Sequence, residues 1–91
     1  HEHPEQIYDM VPDLVFEVVS EGSEERDYVL KRKEYYDLGI QEYAIVDPFR
    51  KIVVVLTPNG EGYADRELQS DNTYRSPQLP GFILPLIELP W

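Results

Sequence analysis

The stretch Pro12-Asp13-Leu14-Val15-Phe16-Glu17-Val18-Val19-Ser20 decides how the chain reads. It is a short run rich in Val and Phe, bounded by Pro on one side and by Ser20-Glu21-Gly22-Ser23 on the other. Such a run predicts a strand over Asp13–Val19, buried on both faces. Side chains alternate along a strand, so Asp13, Val15 and Glu17 share one face. A carboxylate inside an apolar run is costly unless it is paired, hydrogen-bonded or bound to a metal. Glu17 therefore needs a partner.

Working downstream, Ser23 reads as a helix N-cap, and Glu24 and Glu25 suit the positive end of the helix dipole. The helix is expected from about Glu24 to Leu38, with Gly39 as its C-terminal stop. At roughly 100° per residue, Tyr28, Val29, Tyr35, Tyr36 and Leu38 fall on one broad arc, with Lys33, Glu34 and Asp37 opposite. Lys31 and Arg32 lie inside the apolar arc. Either their stems snorkel past the core edge, or one of them reaches Glu17. Helical geometry does not choose.

Gln41–Val46 is the second expected strand, closed by Asp47-Pro48. Strand, helix and strand in this order form a right-handed crossover with parallel strands. A strongly β-forming segment over Lys51–Thr57 follows, then the hairpin signal Pro58-Asn59-Gly60 and a weaker strand over Gly62–Leu68. Ser70-Asp71-Asn72 reads as a turn, and Thr73–Ser76 as a short edge strand. The tail from Pro77 to Trp91 combines Pro77, Pro80, Pro85 and Pro90 with seven Leu, Ile and Phe residues. It is too rich in proline for a long helix, and is expected to pack as an extended cover or against a second copy. The fold class is thus α/β, an α+β mixed sheet in a single domain over 1–91. A loose lead-in over 1–11 precedes it, in which His1 and His3 read as a solvated end.

Ninety-one residues support only a modest core. There is no cysteine, which excludes disulfides and thiolate metal sites. No apolar stretch approaches the ~20 residues that span a bilayer, and a soluble, cytoplasmic protein is expected. The net charge of −10 opposes a general phosphate-binding surface. Contact with DNA would be local, mediated by divalent cations at a carboxylate site, or supplied by a part of the protein outside this sequence.

The order of these pieces resembles the Uma2 family of restriction-endonuclease-like proteins, in the PD-(D/E)XK nuclease superfamily. The resemblance runs from about Val11 to Pro90. It is carried by Pro12–Ser20, by Asp27, Lys31 and Tyr35 at four-residue steps, by Gly39-Ile40-Gln41-Glu42-Tyr43, by Val46-Asp47-Pro48, and by Ser76-Pro77-Gln78-Leu79-Pro80-Gly81-Phe82. It implies a restriction-endonuclease-like core and a metal-dependent site acting on DNA. Glu17 looks like the (D/E) carboxylate, a ligand for Mg²⁺ or Mn²⁺. Lys31 matches the helix lysine that orients the attacking water or stabilises phosphorane charge. Asp13 is a further candidate ligand, although an extended chain sets it roughly 13 Å from Glu17.

Two departures stand out. Val19 occupies the position of the superfamily's strand lysine, so that role passes to Lys31. No segment before Val11 resembles the strand that carries the other acid, and the chain reads as a family member lacking its N-terminal part. Two functions follow from the sequence: a Mg²⁺- or Mn²⁺-dependent endonuclease, or a non-catalytic interaction module on the same fold. A homodimer is expected in either case.

Overall fold

The computed structural model describes residues 11–91. The expected lead-in, with His1 and His3, lies outside the described residues except for Val11. Strand β1 (Leu14–Val18) is followed by a π-helical turn (Arg26–Leu30), helix α1 (Lys31–Leu38), β2 (Glu42–Asp47), β3 (Ile52–Pro58) and β4 (Tyr63–Leu68). A separate hairpin, β5 (Thr73–Arg75) with β6 (Ile83–Pro85), leads into a 3₁₀ turn over Leu86–Glu88. The four main strands lie in the order β1-β2-β3-β4. β1 pairs parallel to β2, with Glu17 opposite Ile45, and the remaining pairs are antiparallel. This is the mixed α+β arrangement expected from the sequence.

Burial of β1 differs from expectation. Phe16 is 43% exposed and Val18 63%, and only Val19, just past the strand, is fully buried. Coverage of both faces falls on the inner strands: Ile52 through Leu56 of β3 are all buried, as is every residue of β2 except Val46. Local composition is alike in the two runs; what differs is their neighbours. β3 lies between β2 and β4, whereas β1 is an edge strand among the described residues.

The two faces of the sheet are covered differently. Tyr28, Tyr35 and Tyr36 from the helical segment pack on Val19, Tyr43, Ile45, Ile52, Val54, Leu56 and Tyr63. On the opposite face, Tyr74, Leu84, Leu86, Leu89 and Trp91 pack on Ala44, Val46, Val53, Val55 and Leu68. The tail therefore lies against this face of the sheet. The segment after Asn72, however, pairs with the tail rather than with the main sheet. Gly39 ends α1 at φ 86°, a left-handed conformation that glycine adopts without strain.

One buried carboxylate ties the tail hairpin to the sheet. Glu42 is 1% exposed and accepts hydrogen bonds from the Tyr74 hydroxyl and, at 2.6 Å, from Ser76 Oγ. At the other end of β2, Asp47 takes the Tyr28 hydroxyl at 2.6 Å and the backbone N–H groups of Phe49 and Arg50. That last pair makes the Asp47-Pro48 turn. Tyr74→Phe leaves Glu42 with one donor in a dry interior and is expected to cost about 1–3 kcal/mol. Tyr28→Phe should cost less, because Asp47 keeps two backbone donors. Urea unfolding at neutral pH compares them, and equal losses would contradict this account of Glu42.

Candidate active site

The partner that Glu17 requires is Lys31. Its Nζ lies 2.9 Å from Glu17 Oε2, and the Tyr35 hydroxyl donates to the same oxygen at 2.7 Å. Arg32 turns away, donating to Asp65 at 2.8 Å and to the carbonyl of Tyr63 at 2.9 Å. Of the two cations left open by sequence, Lys31 reaches the acid and Arg32 braces the helix against β4.

This choice follows from how the helix is wound. The residues turned toward the protein are Ser23, Asp27 and Tyr28, Lys31 and Arg32, Tyr35 and Tyr36, a strict four-residue recurrence. An α-helix drifts about 40° over each four-residue step, so this pattern needs local unwinding. The π turn provides it. Tyr43, on β2, donates its hydroxyl to the Asp27 carbonyl at 2.7 Å. In an α-helix that carbonyl would receive the Lys31 N–H; here the Lys31 N–H bonds to the Arg26 carbonyl, one residue farther back. The rewinding also explains why Val29 and Leu38, expected inside, are exposed.

Asp27 is the second acid of the site. It is 2% exposed, lies 3.8 Å from Lys31 Nζ, and accepts from Ser23 Oγ at 2.7 Å. Ser23 was expected to cap the helix with its side chain. Its hydroxyl instead meets Asp27 and accepts the Ser20 N–H at 2.9 Å, while its backbone carbonyl takes the Asp27 N–H. In the sequence Asp27 and Tyr35 stand out only among the residues that carry the family resemblance. Their four-residue spacing about Lys31 was the available signal.

Glu17 is only partly covered, its side chain 25% exposed. Burial raises its pKa, but the Tyr35 and Lys31 contacts, with a weaker contribution from Arg26, outweigh that and hold the carboxyl below its ordinary value. Burial and the Glu17 hydrogen bond push the Tyr35 phenol up, so it remains a neutral donor. The cluster is a carboxylate with an ammonium and a phenol on one oxygen, facing partly into solvent.

Asp13 is exposed at the mouth of β1, and its backbone carbonyl accepts the Glu42 N–H at 3.0 Å. Four residue steps along an extended chain separate it from Glu17, roughly 13 Å. The structure does not bring the two carboxylates together.

The Uma2 family model, described as "Putative restriction endonuclease", matches residues 2–87. The chain belongs to the Uma2 family. The match begins nine residues before Val11, where the resemblance was expected to start, and stops short of Pro90. Among curated proteins none matches the chain. The Uma2 family points to nuclease chemistry, to DNA as substrate and to use of a divalent metal. Glu17 fits such an ion in kind, as an ionised oxygen donor. In number the site is sparse: no group of three His, Cys, Asp or Glu side chains forms among the described residues. Mg²⁺ is commonly held by one or two carboxylates with water and substrate phosphate completing the shell, and Glu17 meets the lower figure. No helix among the described residues is long and apolar enough to cross a membrane.

The Arg32–Asp65 pair gives a pH-dependent prediction. The hydrogen bond and charge of Arg32 hold the Asp65 carboxyl below its ordinary 3.8. A lowered carboxylate pKa adds stability above 3.8 that is lost as pH falls through the folded-state value. Wild type should therefore exceed Asp65→Asn in stability at neutral pH, by no more than about 1 kcal/mol for so exposed a pair. The difference should close on acidification below 3.8. Thermal unfolding across pH checks this, and a gap that widens toward acid would contradict it.

Proposed function

We propose that this protein is a Mg²⁺- or Mn²⁺-dependent endonuclease that hydrolyses DNA phosphodiesters at Glu17 and Lys31. The observation that carries the reading is the 2.9 Å contact between a strand carboxylate and a helix ammonium in a Uma2 chain. Glu17 would hold the divalent ion. Such an ion supplies an activated water and neutralises charge on the attacked phosphate. Lys31 places a positive charge beside the same point, suited to the charge that builds on the phosphoryl oxygens. Tyr35 fixes the orientation of Glu17 and, as a neutral phenol, does so without adding charge. The acidic surface suits a chain that meets DNA locally rather than along a basic track.

One feature favours a second reading, a non-catalytic module that pairs with another copy of itself. Phe16 and Val18 are exposed on a strand that is the sheet's edge among the described residues, next to an apolar groove of about 290 Å³ lined by Val18, Val46, Pro48, Leu89, Pro90 and Trp91. Exposed apolar edges recruit strands from other chains.

Nicking of supercoiled plasmid with Mg²⁺ or Mn²⁺ separates the two. Wild-type protein is expected to nick, Glu17→Ala to lose the activity, and Lys31→Ala to lose on the order of a hundredfold, as for removal of one transition-state donor. Absence of nicking with every divalent metal, together with a sedimenting dimer, would favour the module. Nicking that survives Glu17→Ala would refute the assignment of the site.

A further inference from the structure

Lys31 has two acidic neighbours, and only one belongs to the machinery described above. Glu17 is partly exposed and is the residue that would share its charge with a bound cation. An ammonium held by Glu17 alone would lose its partner as that charge is taken up. Asp27 differs in each respect. It is buried, it is anchored by Ser23 Oγ at 2.7 Å, and its backbone carbonyl is fixed by the Tyr43 hydroxyl. Its Oδ1 lies 3.8 Å from Lys31 Nζ, on the side away from the Ser23 contact, which is made to Oδ2. The π turn begins beside it and rephases the helix so that Asp27, Lys31 and Tyr35 share one side.

We propose that Asp27, anchored by Ser23, is a positioning residue that keeps the Lys31 ammonium at the site whatever the charge on Glu17. This rests on the nuclease reading for its purpose but not for its test. A purely structural role is the competing account, since an acid in the first helical turn also suits the helix dipole. Under that account Asp27→Asn changes stability alone. Under the positioning account it frees Lys31 specifically.

The chain contains three lysines, Lys31, Lys33 and Lys51, so amine acetylation with N-hydroxysuccinimidyl acetate, read by mass spectrometry, carries its own controls. Without metal or DNA, Asp27→Asn is expected to raise Lys31 labelling relative to Lys33 and Lys51 by about fivefold. That factor corresponds to the roughly 1 kcal/mol of a charge pair near 4 Å in water. Asp27→Glu, which keeps the charge, should restore most of the protection. A Lys31 ratio unchanged in Asp27→Asn overturns the proposal, as does an equal rise when the charge is kept in Asp27→Glu. If Asp27→Asn fails to fold, all three lysines rise together, and Ser23→Ala is read by the same ratio: a selective rise at Lys31 supports the proposal and none overturns it. In the nicking assay Asp27→Asn should lower kcat and leave KM for plasmid unchanged. A wild type that does not nick would defeat the nuclease reading, and the labelling ratio would still decide the role of Asp27.

Discussion

Tyr43 gives its hydroxyl proton to the carbonyl of Asp27, and the arrangement of the site follows from that bond. A strand residue takes a carbonyl that the helix would have used for itself. The helix answers with a wider turn, and a ladder bond moves from Asp27 to Arg26. Without that shift the four-residue recurrence from Ser23 to Tyr36 would drift off the sheet. With it, Lys31 meets Glu17 and Arg32 meets Asp65. The Lys31–Glu17 contact also depends on the parallel pairing of β1 with β2, which places Glu17 and Tyr43 on the same face beneath the crossing helix.

The helix face of the sheet is held by tyrosines used at both ends. Their rings fill the space between helix and strands, with Tyr35 edge-on to Tyr43 and Tyr36 edge-on to Tyr63. The hydroxyls of Tyr28, Tyr35, Tyr43 and Tyr63 each reach an acid or a backbone carbonyl. Phenylalanine would fill the same volume and take one donor from each of those acceptors. The site is thus built into the packing, since the group that orients Glu17 also forms part of the core.

Much of this was legible in the sequence, and the limits have physical causes. The strands declared themselves by β-branched runs and the helix stop by Gly39, since those signals are local. Glu17 stood out because an acid in an apolar run needs a partner. The choice between Lys31 and Arg32 was not legible, because a 3.6-residue period assumes an unbroken α-helix and the interruption comes from a distant tyrosine. Asp27 was hidden for the same reason. The exposure of β1 could not be told from the coverage of β3, since Val-rich runs look alike until their neighbours are known. Glu42 gave no signal of its own, because its partners Tyr74 and Ser76 lie over thirty residues away.

The tail cover has a consequence for synthesis of the chain. Val53, Val55 and Leu68 are made before the segment that shields them, and Leu86, Leu84 and Leu89 come last onto that face. As the chain leaves the ribosome, the β1–β4 sheet can gain its helix while its other side is still open to solvent. An unshielded Val-rich sheet is a template for unwanted association. The interval between emergence of Leu68 and emergence of Leu86 is therefore when a nascent chain would draw a chaperone, and slowing translation across it would lengthen that exposure.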